Sequence, residues 1–257
     1  MSACADNEML KYSVTRGCCQ PVSTRIVDGL LAAIAPWQCV LCRQPGCGMD
    51  LCPGCLLDLP WPADACQRCA LPLPPAQTLC GSCQSGISAV DYCIAALSYE
   101  YPVDRLITAL KFQRRLYLAR VLGELLTVRL AEAFAAGLLA QPEILLPVPL
   151  HPRRLAERSY NQAAEIALVP GNRYGLEVRP NLCRRIRATP PQTGLSRRAR
   201  LRNLQGAFRL DGSVAGCRVA VVDDVITTGA TTLQLARLCK ANGAGEVQVW
   251  AVARTGV

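Results

Sequence analysis

An α/β fold with a parallel sheet flanked by helices, preceded by a small cysteine-rich metal-binding module, is predicted by three features of this sequence. After residue 88, apolar strand-like runs alternate with helix-period patterns. One of those runs, Val219 to Val222, leads into Asp223, Asp224 and a turn rich in threonine. Ahead of them, eight cysteines form four C-x-x-C pairs between Cys39 and Cys83.

The chain has 257 residues, enough for two unequal domains and a real core. With 51% hydrophobic and 18% charged residues it is globular rather than disordered. No run approaches the roughly 20 apolar residues of a membrane helix. Asp28 interrupts the stretch Ile26 to Ala35, which lacks a leading basic region, so a signal peptide is not expected. A cytoplasmic location follows as the expectation, with peripheral attachment at the inner membrane face as its variant. In that compartment clustered thiols point to metal rather than to disulfides, the alternative that an export signal would favour.

Taken in order, residues 1–24 show no sustained period and read as a loose, disordered tail or an over-extended start. Residues 25–88 form the cysteine-rich domain. It opens with a helix capped by Ser23 or Thr24, carrying Ile26, Leu30, Leu31 and Ile34 on one face and ended by Pro36. Residues 89–257 form the α/β domain. Asp91 to Tyr99 reads as a strand, Val103 to Phe112 and Leu116 to Leu139 as helices, and Ile144 to Val148 as a buried strand closed by prolines. A helix resumes near Asn161. The run Arg218 to Val222 suits a strand buried on both faces, followed by a helix from about Thr231 to Asn242 and a last strand, Val247 to Val252.

The order strand, Asp223, Asp224, then Thr227, Thr228, Gly229, Ala230, Thr231 and Thr232 carries the strongest chemical signal. At the C-terminal end of a parallel strand, free N–H groups and the positive end of the next helix converge on one point, which favours an anion. Gly229 permits close backbone approach and the threonines add hydroxyl donors. Carboxylates beside an anion site need another task, such as accepting hydrogen bonds from vicinal ribose hydroxyls, directly or through a cation. Helix capping alone explains neither the second acid nor the run of hydroxyls.

Between His151 and Arg209 thirteen arginines face only Glu157, Glu165 and Glu177, which accounts for the whole net charge of +9. A solvated basic face is the plain alternative. Within it, Pro147 to Gln162 is a strand-end loop with Arg153, Arg154 and Arg158 close by, suited to a second anion because guanidinium groups bind phosphate oxygens in pairs. His151, the sole histidine, invites a general-base role, yet a loop histidine near anions more often donates a hydrogen bond or is simply exposed.

The Asp-Asp-threonine segment resembles the signature of type I phosphoribosyltransferases, which bind phosphoribosyl pyrophosphate with Mg2+. That resemblance implies the type I phosphoribosyltransferase-like fold. It gives Asp223 and Asp224 to the ribose diol as the catalytic pair, and Thr227, Thr228, Gly229, Ala230 and Thr231 to the 5-phosphate. Val148, Leu150 and His151 resemble the pyrophosphate loop, and Gln192 to Asn203 occupies the place of a mobile loop that closes over the reacting centre. Lys111-Phe112, Arg158 to Gln162 with Asn161 among them, Gln192, Leu195, Arg198 and Asn203, together with the acidic phosphate loop and the cysteine pairs, are similar to the ComF family of competence proteins (ComFC/GntX type). One departure is Ser159-Tyr160 where that family usually has Gly-Phe.

Cys39, Cys42, Cys52, Cys55, Cys66, Cys69, Cys80 and Cys83 supply eight soft ligands, enough for two closed tetrahedral zinc sites with a role in folding and partner contact. Short relatives in the resembled family keep only two pairs, which favours joining neighbouring pairs in sequence; the spacings themselves leave interleaved pairing open. Cys47, an extra thiol in the loop of the first site, could replace a ligand there and is read rather as a bystander.

Two functions are therefore expected. The first is a phosphoribosyltransferase of unidentified acceptor acting in DNA uptake and natural transformation. The alternative is a non-catalytic competence factor that keeps the pocket as a ligand site and grips single-stranded DNA with its basic face and zinc knuckles, stacking bases on Tyr160, Phe208 or Trp37. The resemblance also implies a competence helicase or membrane DNA-uptake machinery as partner.

Overall fold

The structure, a computed structural model, describes residues 37–46, 48–86, 88–187 and 205–256. The tail, the helix expected from Thr24, Cys47 and the whole stretch Gln192 to Asn203 lie outside the described residues. The chain divides into two compact units, one ending at Leu59 and one beginning at Pro60. The change in composition near residue 88 thus marks where cysteine pairs stop, whereas the packing boundary falls between the second and third pairs.

In the first unit a short helix, α1 (Pro53–Leu57), is capped at Cys52, whose Sγ accepts from the Cys55 N–H. In the second unit α2 (Gly81–Gln84) starts after Cys80 at the corresponding place, without a side-chain cap. The two segments share their backbone plan. An isolated bridge joins Gln38 to Pro45 and another joins Ala65 to Pro72, each one residue ahead of a first cysteine and three beyond a second. Cys39 N–H donates to Gln44 O and Cys66 N–H to Leu71 O, and Arg43 and Ala70 both take positive φ, 65° and 54°. The cysteine module is an internal duplication.

The second unit is built on five parallel strands in the order β1 (Tyr92–Ser98), β7 (Glu246–Arg254), β6 (Arg218–Ile226), β2 (Ile144–Pro147), β3 (Glu177–Val178). The central strands are buried along nearly their whole length, as their unbroken apolar sequence requires. Helix α3 (Val103–Phe112) follows β1, with Asp104 in its first turn and Lys111 in its last, each matched to the helix dipole. Helix α4 (Tyr117–Ala135) ends short of the expected Leu139 because Gly137, at φ 67°, turns the chain out of the helix. It lies close on α6 (Gln162–Tyr174), where a side chain at Gly123 would meet Val169 Cγ2 at 2.6 Å. No helix among the described residues is long and apolar enough to cross a membrane.

Three differences from the sequence reading have physical causes. The loop expected after β2 contains a helix, α5 (Pro152–Arg158), started by Pro152 at its first position and capped by His151. The short strands β3, β4 (Cys183–Arg185) and β5 (Phe208–Leu210) have too few residues to show a period. Helix α7 (Ala230–Ala241) follows β6, which continues through both aspartates to Ile226, so the carboxylates belong to the strand end rather than to the turn.

Ser159, the C-cap of α5, sits at φ 69°. That conformation strains any side-chain-bearing residue, so the glycine expected from the family pattern would be relaxed here and the serine is held by its surroundings. Tyr160 supplies part of that hold, donating its hydroxyl proton to Leu110 O at the end of α3.

Candidate functional site

The C-terminal ends of β6 and β2 meet beside the start of α7. Gly229 is the N-cap of α7 at φ 73°, a left-handed conformation that favours glycine; space alone would tolerate a methyl group there. No side chain caps this helix. Among the described residues, the N–H groups of Thr228, Gly229, Ala230 and Thr231 donate to no backbone carbonyl. By contrast α6 is capped by Asn161 Oδ1, and α5 by His151 Nδ1. The unsatisfied amides and the helix dipole therefore converge on a small hollow lined by Asp223 and residues 225–232. Thr227 is exposed and Thr228 and Thr231 half-buried. Thr232 departs from the sequence expectation: it is buried and donates its hydroxyl proton to Gly229 O, so it braces the turn.

The two aspartates are not equivalent. Asp223 is half-buried and faces the hollow. Burial, and next the Asp224 carboxylate, push Asp223 up to about 8, with Lys111 acting in the opposite direction. Asp224 is only 3% exposed, and its Oδ2 lies 2.9 Å from Lys111 Nζ. In this state Lys111 holds Asp224, leaving Asp223 as the more available acceptor for a diol or a hard cation.

Beside them, Val148 is built into the sheet end. Its N–H donates to Val222 O and its carbonyl accepts from Asn161 Nδ2 at 3.0 Å, so Asn161 joins the β2 loop to α6. Leu150 and His151 are half-buried in that loop. His151 Nδ1 accepts the Arg153 N–H at 3.3 Å, an occupied lone pair that favours a structural role over a general base. Arg158 stacks over the Phe112 ring at 5.1 Å. Burial lowers its affinity for a proton while Asp224 raises it. Lys111, Phe112, Arg114, Arg154, Glu157 and Arg158 line a half-open cavity of about 360 Å³. The sequence-predicted residues of the phosphate turn are thus contiguous, and the β2 loop meets β6 through Val148. Of the aromatics proposed for stacking, Phe208 is buried under Arg185, because its strand turns the ring inward. Phe112 is 71% exposed instead.

The eight cysteines of the C-x-x-C pairs gather by neighbouring pairs. Cys39, Cys42, Cys52 and Cys55 form one cluster, and Cys66, Cys69, Cys80 and Cys83 the other, with the Sγ atoms of each within 4.8 Å of one another. A tetrahedron of Zn–S bonds near 2.3 Å has edges of about 3.8 Å. The separations of 3.5 Å for Cys42–Cys52 and 3.6 Å for Cys69–Cys80 match it, and none of these thiols is in a disulfide. The charge pattern asks for a cation. Burial opposes ionisation of Cys39, but backbone N–H groups of Cys42, Cys52 and Leu41 outweigh it and hold the thiol at about 6. Burial and the neighbouring Cys80 push Cys83 up to about 12. One thiolate is easily carried, four are not, and a dication removes that conflict. Either cluster could hold a zinc ion.

No protein-family model matches the chain. A DNA utilization protein YhgH of Salmonella typhi is 34% identical over 222 residues, covering 86% of this chain and 98% of that protein. Its Shigella flexneri counterpart is 35% identical over 223 residues, again 86% and 98%. Competence protein F of Haemophilus influenzae is 35% identical over 178 residues, 68% of this chain and 78% of its own. The chain belongs to the ComF family. Among solved structures, the purine phosphoribosyltransferase of Pyrococcus horikoshii Ot3 aligns with 50% of this ComF chain and 71% of its own at 18% identity, TM-score 0.30. The UMP synthase of Leishmania donovani aligns with 58% and 29%, at 13% identity and TM-score 0.32. Both likenesses are slight.

Sequence reasoning about this ComF chain left two residues of the site without a role. Lys111 ends a helix whose register on Asp224 no local pattern announces, although a lysine ahead of an exposed phenylalanine was a signal. Arg254 closes an apolar strand, and a charged residue there reads as the start of solvent; in the fold it is 6% exposed.

Proposed function

We propose that this ComF chain binds 5-phosphoribosyl pyrophosphate with Mg2+ and serves the handling of incoming DNA, as the names of its relatives suggest. The observation that carries the ligand is the uncapped N-terminus of α7 with its free amides beside Asp223. Thr227 to Thr231 would hold the 5-phosphate, Asp223 the ribose hydroxyls, and Val148 to His151 with Arg158 the pyrophosphate end. Asp223 and Asp224 offer the hard oxygens Mg2+ prefers, and the ion when bound would neutralise pyrophosphate charge. Lys111 would leave Asp224 for the ligand's phosphate oxygens, so that the cation is exchanged rather than lost. Calorimetric titration of the full chain with 5-phosphoribosyl pyrophosphate and Mg2+ is expected to give one site per chain with micromolar affinity. No heat at millimolar ligand would remove this reading. Pyrophosphate release across a panel of acceptors then separates transfer from ligand sensing.

A second reading, single-stranded DNA binding, is favoured by Phe112, exposed among Lys111, Arg114, Arg154 and Arg158 around one cavity. A base can stack on such a ring while its phosphates meet the guanidinium groups. Replacing Arg153, Arg154 and Arg158 with alanine is expected to weaken single-stranded DNA binding and flatten its salt dependence by about two to three charges. An unchanged salt slope would set this reading aside. A helicase or uptake-machinery partner, and peripheral attachment to a membrane, belong to the same proposal.

A further inference from the structure

We propose that Arg254 is a positioning residue that ties the second cysteine knuckle to the phosphate turn, so that metal at Cys66, Cys69, Cys80 and Cys83 sets the shape of that turn. It rests on the reading of residues 227–231 as a phosphate site. Arg254 is the last residue of β7, in register with Ile226 of β6. Its Nη1 donates to Ile226 O at 3.0 Å, to Thr255 O at 3.1 Å and also to Thr227 O, while its Nε donates to Cys69 O at 2.9 Å. One rigid guanidinium therefore spans a metal ligand's own carbonyl and the first two carbonyls of the turn.

The planar trans peptide gives this link a direction. When the carbonyls of Ile226 and Thr227 turn toward Arg254, the N–H groups of Thr227 and Thr228 must point away from it. Arg254 thus orients donors it never touches, and its buried positive charge stands behind the turn. On the other side, the Cys69 carbonyl is fixed only as firmly as the knuckle around it. That knuckle is also pinned to the sheet where Cys93 N–H donates to Gln67 O at 2.6 Å. Losing the ion removes the bonds that hold the four sulfur atoms together, and the displacement of Cys69 reaches the turn through a single side chain. A lysine could not bridge both carbonyl sets, which distinguishes this role from one of charge alone.

The test uses the full zinc-loaded chain, Arg254→Gln, Cys83→Ser and the double variant, followed by amide hydrogen exchange. The amides of Leu233 and Thr255 donate to Gly229 O and Ile226 O and so report opening of the turn; Val148 N–H, which donates to Val222 O, reports global opening. Each single variant is expected to speed exchange at Leu233 and Thr255 about tenfold beyond the change at Val148, which reads the global destabilisation alone. The double variant is expected to show no larger excess at Leu233 and Thr255 over Val148 than either single variant, because both cut one connection. Wild-type rates at Leu233 and Thr255 in Cys83→Ser, or independent effects that multiply, would overturn the link. Should the glutamine variant not fold, Arg254→Lys carries the same comparison. Exchange needs no ligand, so a chain that fails to bind 5-phosphoribosyl pyrophosphate would sink the proposed function and leave this test standing.

Discussion

Cys66→Ser is expected to lower the zinc content of the purified chain from two equivalents to one and to destabilise the second unit by several kcal/mol. The magnitude follows from what the second knuckle holds. Cys66 Sγ accepts the Cys80 N–H at 3.3 Å, so the substitution disturbs both the ligand set and a turn. The knuckle's backbone is joined to β1 and β7 through Gln67 and Cys69, which passes the loss into the parallel sheet. Elemental analysis and thermal melting read the two effects together. A wild-type chain that purifies without zinc, and melts at the same temperature with and without a chelator, would end the metal reading.

Asp223→Asn is expected to weaken 5-phosphoribosyl pyrophosphate binding at least about a hundredfold while making the free protein more stable at alkaline pH. Burial and Asp224 raise the Asp223 carboxyl to about 8 in the fold, whereas the unfolded chain titrates near the ordinary value of about 4. The folded protein therefore binds this proton more tightly. Its contribution to stability is complete below about pH 4 and is lost as pH rises through about 8. A fixed neutral amide escapes that loss, so the variant's melting advantage should be several degrees at about pH 9 and vanish near pH 4. A variant that binds ligand like the wild type would remove Asp223 from the site. One that melts lower than wild type at every pH would show that its carboxylate is needed for folding.

Much of this arrangement was legible because it is written in contiguous residues. The run Val219 to Val222 and the threonine turn after Asp224 gave away a strand, a turn and a helix within fourteen positions, and paired cysteines at near-constant spacing announced two knuckles. What stayed hidden depends on distance in sequence. Lys111 reaches Asp224 across more than a hundred residues, and Arg254 ties Cys69 to Thr227 only after the sheet has formed. His151 was placed in a loop because proline and arginine dominate there, yet that same proline starts α5. Phe208 looked available for stacking because three residues of strand leave no alternation from which to read its face.

The order of the sheet leaves β1 at one margin, an apolar strand whose outer side would offer unpaired N–H and C=O groups to any neighbouring molecule. In the fold that margin is occupied: Cys93 and Ser98 give their N–H groups to carbonyls of Gln67 and Pro60, in and beside the second knuckle. The knuckle is thus a selvage for the sheet, and a chain starved of metal would tend to stick to its own copies, strand against strand, before it unravels.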